Sequence, residues 1–279
     1  MPTAGRISTP SETCCLNRFE PNIKRQMTHM KALFVAYQDT VSRTWTPVAR
    51  LTHDGQLYHF AYTRGAKNLP NFVPFGRMNE LDAEYVSEQI FPLFANRLLP
   101  KSRPEYKDYL NWLGLSGVGH DAIEELARTG GLRATDSLEL VPCPEPTSSN
   151  QFEVYFFCRG LRHFSADSQA RSLSLAKGER LYLMPDIQNG NDDMALLLRT
   201  DDPVTLVGYV PRYYAAEFSS LINLVGADAP KVTVEKVNAD APIQYRVLCK
   251  LSAPWPAQFQ PCQTGSYEVD SALRTPSSN

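Results

Sequence analysis

The chain has 279 residues, a length that suits one large domain or two small ones. A hydrophobic fraction of 43% with 10% aromatic residues predicts a packed core and excludes a largely disordered chain. A formal net charge of −2 excludes a protein that coats nucleic acid through an overall basic surface.

The first 29 residues are polar and lack hydrophobic periodicity, which predicts a disordered tail at 1–29. They lack the apolar core of a secretory signal, and no run of about 18 apolar residues occurs, so we expect no membrane association. The natural start is interpreted as Met1, Met27 or Met30. Two interpretations of the segment before these later methionines stay open: a genuine flexible arm and a start-site artefact.

Six cysteines lie at positions 14, 15, 143, 158, 249 and 262 and form no C-x-x-C pair. This scatter predicts reduced thiols, as in a cytoplasmic protein. No His and Cys residues occur at the spacing of zinc ligands. We therefore expect no metal site and no cofactor.

Residues 30–140 have the pattern of a small β/α module. Runs rich in β-branched and aromatic residues predict three strands, and Asp-Gly at 54–55 predicts a hairpin between the last two. The predicted strands are Ala32–Gln38, Trp45–Thr52 and Leu57–Thr63. Apolar residues near helical spacing then predict a helix from Tyr85 to Leu98, with Asp82 as N-cap and a kink or break at Pro92.

Two further helices are predicted in this module, at 104–113 and 122–128. The second begins with Asp121 and Glu124 in the pattern of a capping box, and Gly130-Gly131 marks its end. The Pro- and Ser-rich stretch 141–151 predicts a linker.

The second half of the chain alternates β-like runs with one long amphipathic segment. Strands are predicted at Phe152–Cys158, Arg180–Met184, Met194–Arg199 and Thr205–Tyr209. A helix is predicted at Tyr213–Leu224. Residues 227–252 contain two more strand-like runs, interpreted as a β-strand extension, and 253–279 is rich in Pro, Gln and Ser, which predicts a flexible tail.

Three motifs follow one another in this half: RGLRHF at 159–164, NGNDDMA at 189–195 followed by three leucines, and LVGYVPR at 206–212. Together they resemble the HIRAN domain, a small β-rich module of Swi/Snf-type fork-remodelling ATPases and of many bacterial proteins. The resemblance, closest to the bacterial type, implies a β-barrel with a closing helix at 152–226. In eukaryotic members this module holds the 3′ end of single-stranded DNA.

The resemblance also implies a set of site residues. Arg162 and Arg212 match phosphate contacts of the family, and Asp192 matches the acidic residue that accepts a hydrogen bond from the 3′ hydroxyl. His163 and Phe164 fall where the family carries aromatic residues around the terminal nucleotides. The residues assigned to DNA are Arg162, His163, Phe164, Asn189, Asn191, Asp192, Tyr209 and Arg212.

This sequence departs from the family pattern in the central motif. Asn191 replaces an aromatic residue, and a stacking face is typically worth about 1–3 kcal/mol per base. Asp193 adds a second negative charge beside the expected hydroxyl acceptor. Other interpretations are open: both arginines of the site could form ion pairs with these aspartates, Phe164 could belong to the core, and Tyr209 could be buried or line a pocket.

The first half has a resemblance of its own. The pattern formed by 47–51, 54–62 and 90–100 is similar to the small N-terminal subdomain of HipA-type kinases. In that family the subdomain precedes a kinase domain, but here no catalytic His-x-Asp, metal-binding Asp motif or phosphate loop follows. The resemblance therefore implies an interaction or scaffolding module.

No other enzyme signature is apparent. The run 114–119 lacks the spacing of a nucleophile elbow, and Asp192-Asp193 has no Glu-x-Lys companion. We expect an α+β fold, with a small N-terminal β/α module followed by a HIRAN-like β-barrel with a closing helix. The leading hypothesis is a non-catalytic protein that recognises 3′ ends of single-stranded DNA, in DNA repair or defence. The alternative is a regulatory module that binds a protein partner, for instance through residues 30–140, without nucleic acid.

Overall fold

The computed structural model describes residues 31–39, 44–116, 119–133, 135–190, 192–263 and 265–269. The predicted tail at 1–29 and the alternative start sites lie outside these residues, as does the end of the predicted C-terminal tail. The chain forms two antiparallel sheets with a few helices, and this confirms the α+β fold class.

The first sheet has five strands in the order β4-β3-β2-β1-β5. These are β1 (Lys31–Gln38), β2 (Trp45–His53), β3 (Tyr58–Tyr62), β4 (Glu84–Ser87) and β5 (Leu138–Pro142). The predicted hairpin joins β2 to β3, where the Asp54 carboxylate accepts hydrogen bonds from the N–H groups of Gln56 and Leu57, each at 2.8 Å. These backbone hydrogen bonds lower the pKa of Asp54 to about 2.

The helix predicted from Tyr85 to Leu98 is wrong. Residues 84–87 form the edge strand β4, and only α2 (Pro92–Ala95) is helical in that stretch. Tyr85 is buried against the ring of Phe60, and its hydroxyl accepts a hydrogen bond from the N–H of Glu80 at 2.8 Å. The apolar residues recur near helical spacing because side chains of a strand and of a short helix pack on the same core, and this spacing led to the wrong prediction.

The remaining helices of this module are α1 (Arg64–Asn68), α3 (Tyr106–Trp112) and α4 (Ala122–Thr129). The predicted caps of α4 are confirmed: the Asp121 carboxylate accepts from the N–H of Glu124 at 2.9 Å, and Gly130 ends the helix in the left-handed conformation. Gly131 also has a positive φ, and this turn carries the chain out of α4 toward β5.

The second sheet has six strands in the order β6-β11-β10-β7-β8-β9. They are β6 (Gln151–Phe157), β7 (Arg180–Pro185), β8 (Leu196–Arg199), β9 (Leu206–Tyr209), β10 (Lys231–Val237) and β11 (Val247–Pro254). Its two edges meet where Arg159 and Tyr209 exchange backbone hydrogen bonds of 2.8 and 2.9 Å. This pair closes the curled sheet into a barrel.

Two helices accompany the barrel. α5 (Ala166–Leu173), which the sequence pattern did not predict, begins where the Ser165 hydroxyl accepts from the N–H of Ser168. The predicted closing helix is confirmed as α6 (Arg212–Val225). Its Phe218 ring lies 5.8 Å from the Phe156 ring in the barrel core.

The two modules pack against each other. Side chains of both share a small apolar cluster, formed by Tyr109, Leu113, Leu115, Phe157 and Leu248. Lys236 of β10 donates to the backbone and side-chain oxygens of Asn111, at 2.7 and 2.6 Å. In the predicted C-terminal tail, the Tyr267 ring contacts Phe34 of the first sheet at 4.8 Å.

Candidate nucleic-acid interface

A tight turn after β6 presents the first motif at the surface. Gly160 adopts a φ of 71°, and a Cβ built there would lie 3.0 Å from the ring of Tyr209. The turn continues into one 3-10 turn in which Leu161 is buried while Arg162 and His163 are exposed. The sequence therefore folds so that Arg162 and His163 of the motif face solvent.

Phe164 and Tyr209 form an aromatic pair beside this turn. Their ring centroids lie 5.5 Å apart, both side chains are half-buried, and neither belongs to the fully buried core. The Tyr209 hydroxyl donates to Asp186 Oδ2 at 2.7 Å. Burial, reinforced by this hydrogen bond, raises the pKa of Tyr209.

The loop between β7 and β8 orients Asp192 through backbone hydrogen bonds. Asn189 Nδ2 donates to Asp186 Oδ2 at 3.2 Å, and Asn189 Oδ1 accepts from the N–H of Asp192 at 3.1 Å. Asp192 Oδ1 in turn accepts from the N–H of Met194 at 3.1 Å. Asn191, the remaining predicted site residue of this loop, lies outside the described residues.

Asp192 meets Arg212 at the start of α6. Arg212 Nε lies 3.3 Å from Asp192 Oδ2, and the Arg212 side chain keeps 38% of its surface exposed. Both line a pocket of about 400 Å³ together with Asn189, Tyr209 and Gly160. The guanidinium is therefore paired with a carboxylate and remains partly exposed at the pocket wall.

A second pocket adjoins the first. It has a volume of about 390 Å³, it is lined by Arg162 and His163, and it shares Leu132, Arg159 and Gly160 with the first pocket. Arg162 Nε donates to His163 Nε2 at 3.1 Å. Among the described residues, Arg162 makes no ion pair with a carboxylate. The structure therefore brings Asp192 and Arg212 into contact and places Arg162 in the neighbouring pocket.

Sequence reasoning missed three residues of these pockets. Arg159 opens the first motif but received no role, and its Nη2 lies 3.2 Å from Glu139 Oε1 of β5. Glu139 and Leu132 come from the first module and line the first pocket, and Leu132 also lines the second. Burial raises the pKa of Glu139 to about 7, although the positive charge of Arg159 opposes the rise. No motif marks Glu139 or Leu132, because their position depends on how the modules pack.

No group of three or more His, Cys, Asp or Glu side chains among the described residues is arranged to hold a metal ion. None of the helices within the described ranges is both long and apolar enough to span a bilayer. The four cysteines in this part of the chain, Cys143, Cys158, Cys249 and Cys262, are free thiols.

Residues 151–255 match the model of the HIRAN domain. This part of the chain is a HIRAN domain. The match runs from β6 to β11, so β10 and β11, interpreted from the sequence as an extension, lie inside the matched range.

Two solved structures are similar to part of this chain. One is a structural-genomics target from Lactobacillus plantarum, with 19% identity over 37% of this chain and 96% of the other, and a TM-score of 0.30. The second is the HIRAN domain of human HLTF, with 13% identity over 38% of this chain and 81% of the other, and a TM-score of 0.28. The chain matches no curated protein.

Proposed function

We propose that the HIRAN domain of this chain binds the 3′ end of single-stranded DNA in the pocket that Asp192 and Arg212 line. HIRAN domains are generally DNA-binding domains for such ends. The observation that carries the proposal is the Asp192–Arg212 pair at 3.3 Å, because it sets a hydrogen-bond acceptor and a cation side by side at the pocket wall. A DNA terminus offers the complement, a hydroxyl donor next to a phosphate.

Each part of the site has a role in this proposal. Asp192 accepts a hydrogen bond from the terminal 3′ hydroxyl, and its orientation by Asn189 and the N–H of Met194 supports that role. Arg212 and Arg162 contact the last phosphates from the two adjoining pockets. The aromatic pair of Phe164 and Tyr209 provides the ring surface for a base.

The charge of the domain favours an end-binder. Between Phe152 and Leu224 there are seven Lys and Arg residues and nine Asp and Glu residues. A protein that tracks the DNA backbone needs a basic stripe, which this segment lacks. We therefore propose modest, salt-sensitive affinity for a terminus and little affinity for internal DNA.

We further propose that the protein is non-catalytic and acts in DNA repair or defence with a partner that supplies any enzymatic activity. In this proposal the first module corresponds to the N-terminal subdomain of HipA-type kinases and serves as a protein-interaction surface. Its lack of kinase motifs supports a scaffolding role.

The test compares short labelled oligonucleotides that end in a 3′ hydroxyl or a 3′ phosphate. We expect the hydroxyl end to bind about tenfold more tightly, because a phosphate is repelled by Asp192 and cannot donate to it. Asp192→Ala should remove this preference, and Arg162→Ala should weaken binding of both ends. Asp201→Ala, which removes an exposed carboxylate outside both pockets, is the matched control. Equal or absent binding of both ends would instead favour a module that binds a protein partner.

A further inference from the structure

The first module reaches into the pocket assigned to the DNA end. The turn that follows α4 carries Leu132 to the wall between the two adjoining pockets, where 45% of its surface is exposed. Strand β5 places Glu139 in the first pocket, beside Arg159 of the HIRAN domain. Both modules therefore contribute side chains to one site.

The turn fits closely over the Glu139–Arg159 pair. A Cβ built on Gly130 would lie 3.0 Å from Glu139 Oε1 and 3.4 Å from Arg159 Nη2. The backbone of Arg159 is fixed by its two hydrogen bonds to Tyr209, so its side chain approaches from a rigid position. The Glu139 side chain is 10% exposed and that of Arg159 is 21% exposed. Arg159 lines both pockets, whereas Glu139 lines the first.

The charge of Glu139 is sensitive to pH near neutrality, since burial raises its pKa to about 7. From the HIRAN domain, Arg159 and the hydroxyl of Tyr213 face this carboxyl. Burial holds the pKa of Tyr213 well above its ordinary value, so the Tyr213 hydroxyl stays neutral. Within its own sheet, the residue paired with Glu139 on β1 is the apolar Ala36. Asp192 and Arg212 line the same pocket.

We propose that the first module completes the DNA-end site, with Leu132 as an apolar face for the terminal base and Glu139 as the carboxylate that competes with DNA phosphate for Arg159. This inference rests on the proposed function and goes beyond it, because it makes the first module part of the binding surface. The sequence carries Asn191 in place of the aromatic residue expected from the family resemblance, and Leu132 offers the base an apolar contact from the first module. Ionised Glu139 neutralises Arg159, and loss of that charge makes the guanidinium available to a phosphate.

The first experiment uses the full chain and an oligonucleotide with a 3′ hydroxyl. Glu139→Gln keeps the shape and the acceptor oxygen but removes the negative charge. At about pH 8 we expect Glu139→Gln to bind this oligonucleotide about five- to tenfold more tightly than the wild type does. The substitution removes one negative charge that repels the DNA phosphate, and solvent partly screens that repulsion. Glu179→Gln, which changes a partly buried carboxylate paired with Arg171 outside both pockets, is the matched control and should bind as the wild type.

The pH dependence provides a second readout. Wild-type affinity should rise as the pH falls from about 8 to about 6, because Glu139 becomes protonated in this window. An imidazole ordinarily titrates in the same region. The titration is therefore made in a His163→Gln background, with and without Glu139→Gln, and the second substitution should remove most of the remaining slope.

Leu132 is tested independently of charge. Leu132→Ala should weaken binding of the hydroxyl-ended oligonucleotide about fivefold, because an apolar contact with the terminal base is lost. Leu224→Ala removes a leucine of nearly equal exposure, 44% against 45%, that lies outside both pockets, and it should bind as the wild type. Thermal unfolding of each variant identifies any loss of folding. If Glu139→Gln does not fold, the inference is tested by Leu132→Ala and by the pH titration of the single His163→Gln variant.

The outcomes separate this inference from the proposed function. A wild-type protein that prefers the hydroxyl end, together with Glu139→Gln and Leu132→Ala variants that bind as the wild type, overturns the composite site alone. A wild-type protein that binds neither oligonucleotide overturns the proposed function and this inference with it.

Discussion

Two arginine–carboxylate pairs, one in each module, show how burial distinguishes an ion pair inside the fold from one at a pocket wall. In the first module, the Arg97 side chain is 1% exposed, and its guanidinium donates to Asp136 Oδ2 at 2.6 Å and to the carbonyl of Gly131 at 2.7 Å. In the HIRAN domain, the Arg212 side chain is 38% exposed, and its Nε lies 3.3 Å from the carboxylate of Asp192. The Arg97 guanidinium therefore stabilises the fold, whereas Arg212 lines a pocket.

The Arg159–Glu139 pair lies between these extremes and joins the modules. Its two side chains are 21% and 10% exposed, and the carboxyl belongs to the first module while the guanidinium belongs to the HIRAN domain. The difference among the three pairs indicates that ion pairing alone does not identify a site. We therefore propose that exposure toward a shared pocket distinguishes the pairs available to a ligand.

The largest effect is expected at the buried pair. Arg97→Met should lower the free energy of unfolding by about 3–4 kcal/mol, because it leaves the Gly131 carbonyl without its buried donor and Asp136 without its cation. Urea denaturation measures this loss. Arg64→Met, which alters an exposed pair with Glu268, should cost about 0.5 kcal/mol. Similar losses for the two variants would show that burial does not determine how much an ion pair of this fold stabilises it.

A smaller effect on stability is expected at the module boundary. The pKa of Glu139 is raised by burial from 4.5 to about 7 in the folded chain, so between these values the folded state binds more protons than the unfolded state. The contribution of Glu139 to the free energy of unfolding therefore falls as the pH rises through this window, by at most about 3 kcal/mol.

Glu139→Gln should remove that contribution. Relative to the wild type, the variant should gain stability as the pH is raised from about 4.5 to about 7, as measured by urea denaturation at several pH values. A constant difference between the two proteins across this range would show that the carboxyl titrates normally in the folded chain.

Much of the fold follows from local sequence signals. The Asp54 turn, the Asp121 cap and the amphipathic α6 are each set by residues close together in the chain, and the structure confirms all three. The helix predicted around Tyr85 was wrong because this segment pairs with β3. Such tertiary pairing overrides an apolar spacing that also fits a helix.

The candidate site divides in the same way. The motifs marked Asp192 and Arg212, and the structure shows them in contact, but sequence alone left open whether such a pair is structural or lines a pocket. Glu139 could not be identified, because its approach to Arg159 depends on the packing of β5 against the barrel. Leu132 follows the helix end at Gly130-Gly131, where the sequence predicts only a turn.

The smallest expected effect separates binding from stability at the exposed pair. Arg212→Ala should weaken binding of a 3′-hydroxyl oligonucleotide about tenfold and change the free energy of unfolding by less than about 1 kcal/mol, because the side chain is exposed. Fluorescence anisotropy at two salt concentrations measures the loss and a shallower salt dependence. Arg77→Ala, at an exposed position outside both pockets, is the control. A loss of stability comparable to that of Arg97→Met would mean that Arg212 is structural as well.

Photocrosslinking can determine whether the adjoining pockets of the HIRAN domain hold a DNA terminus, as proposed. The full chain is irradiated with an oligonucleotide that carries 5-iodouracil at its 3′-terminal position, or at its 5′-terminal position as the control, and the modified peptides are mapped. We expect crosslinks from the 3′ position to Phe164, Tyr209 or His163 and background levels from the 5′ position. Equal crosslinking from both positions, or crosslinks that map only outside the two pockets, would contradict the proposal.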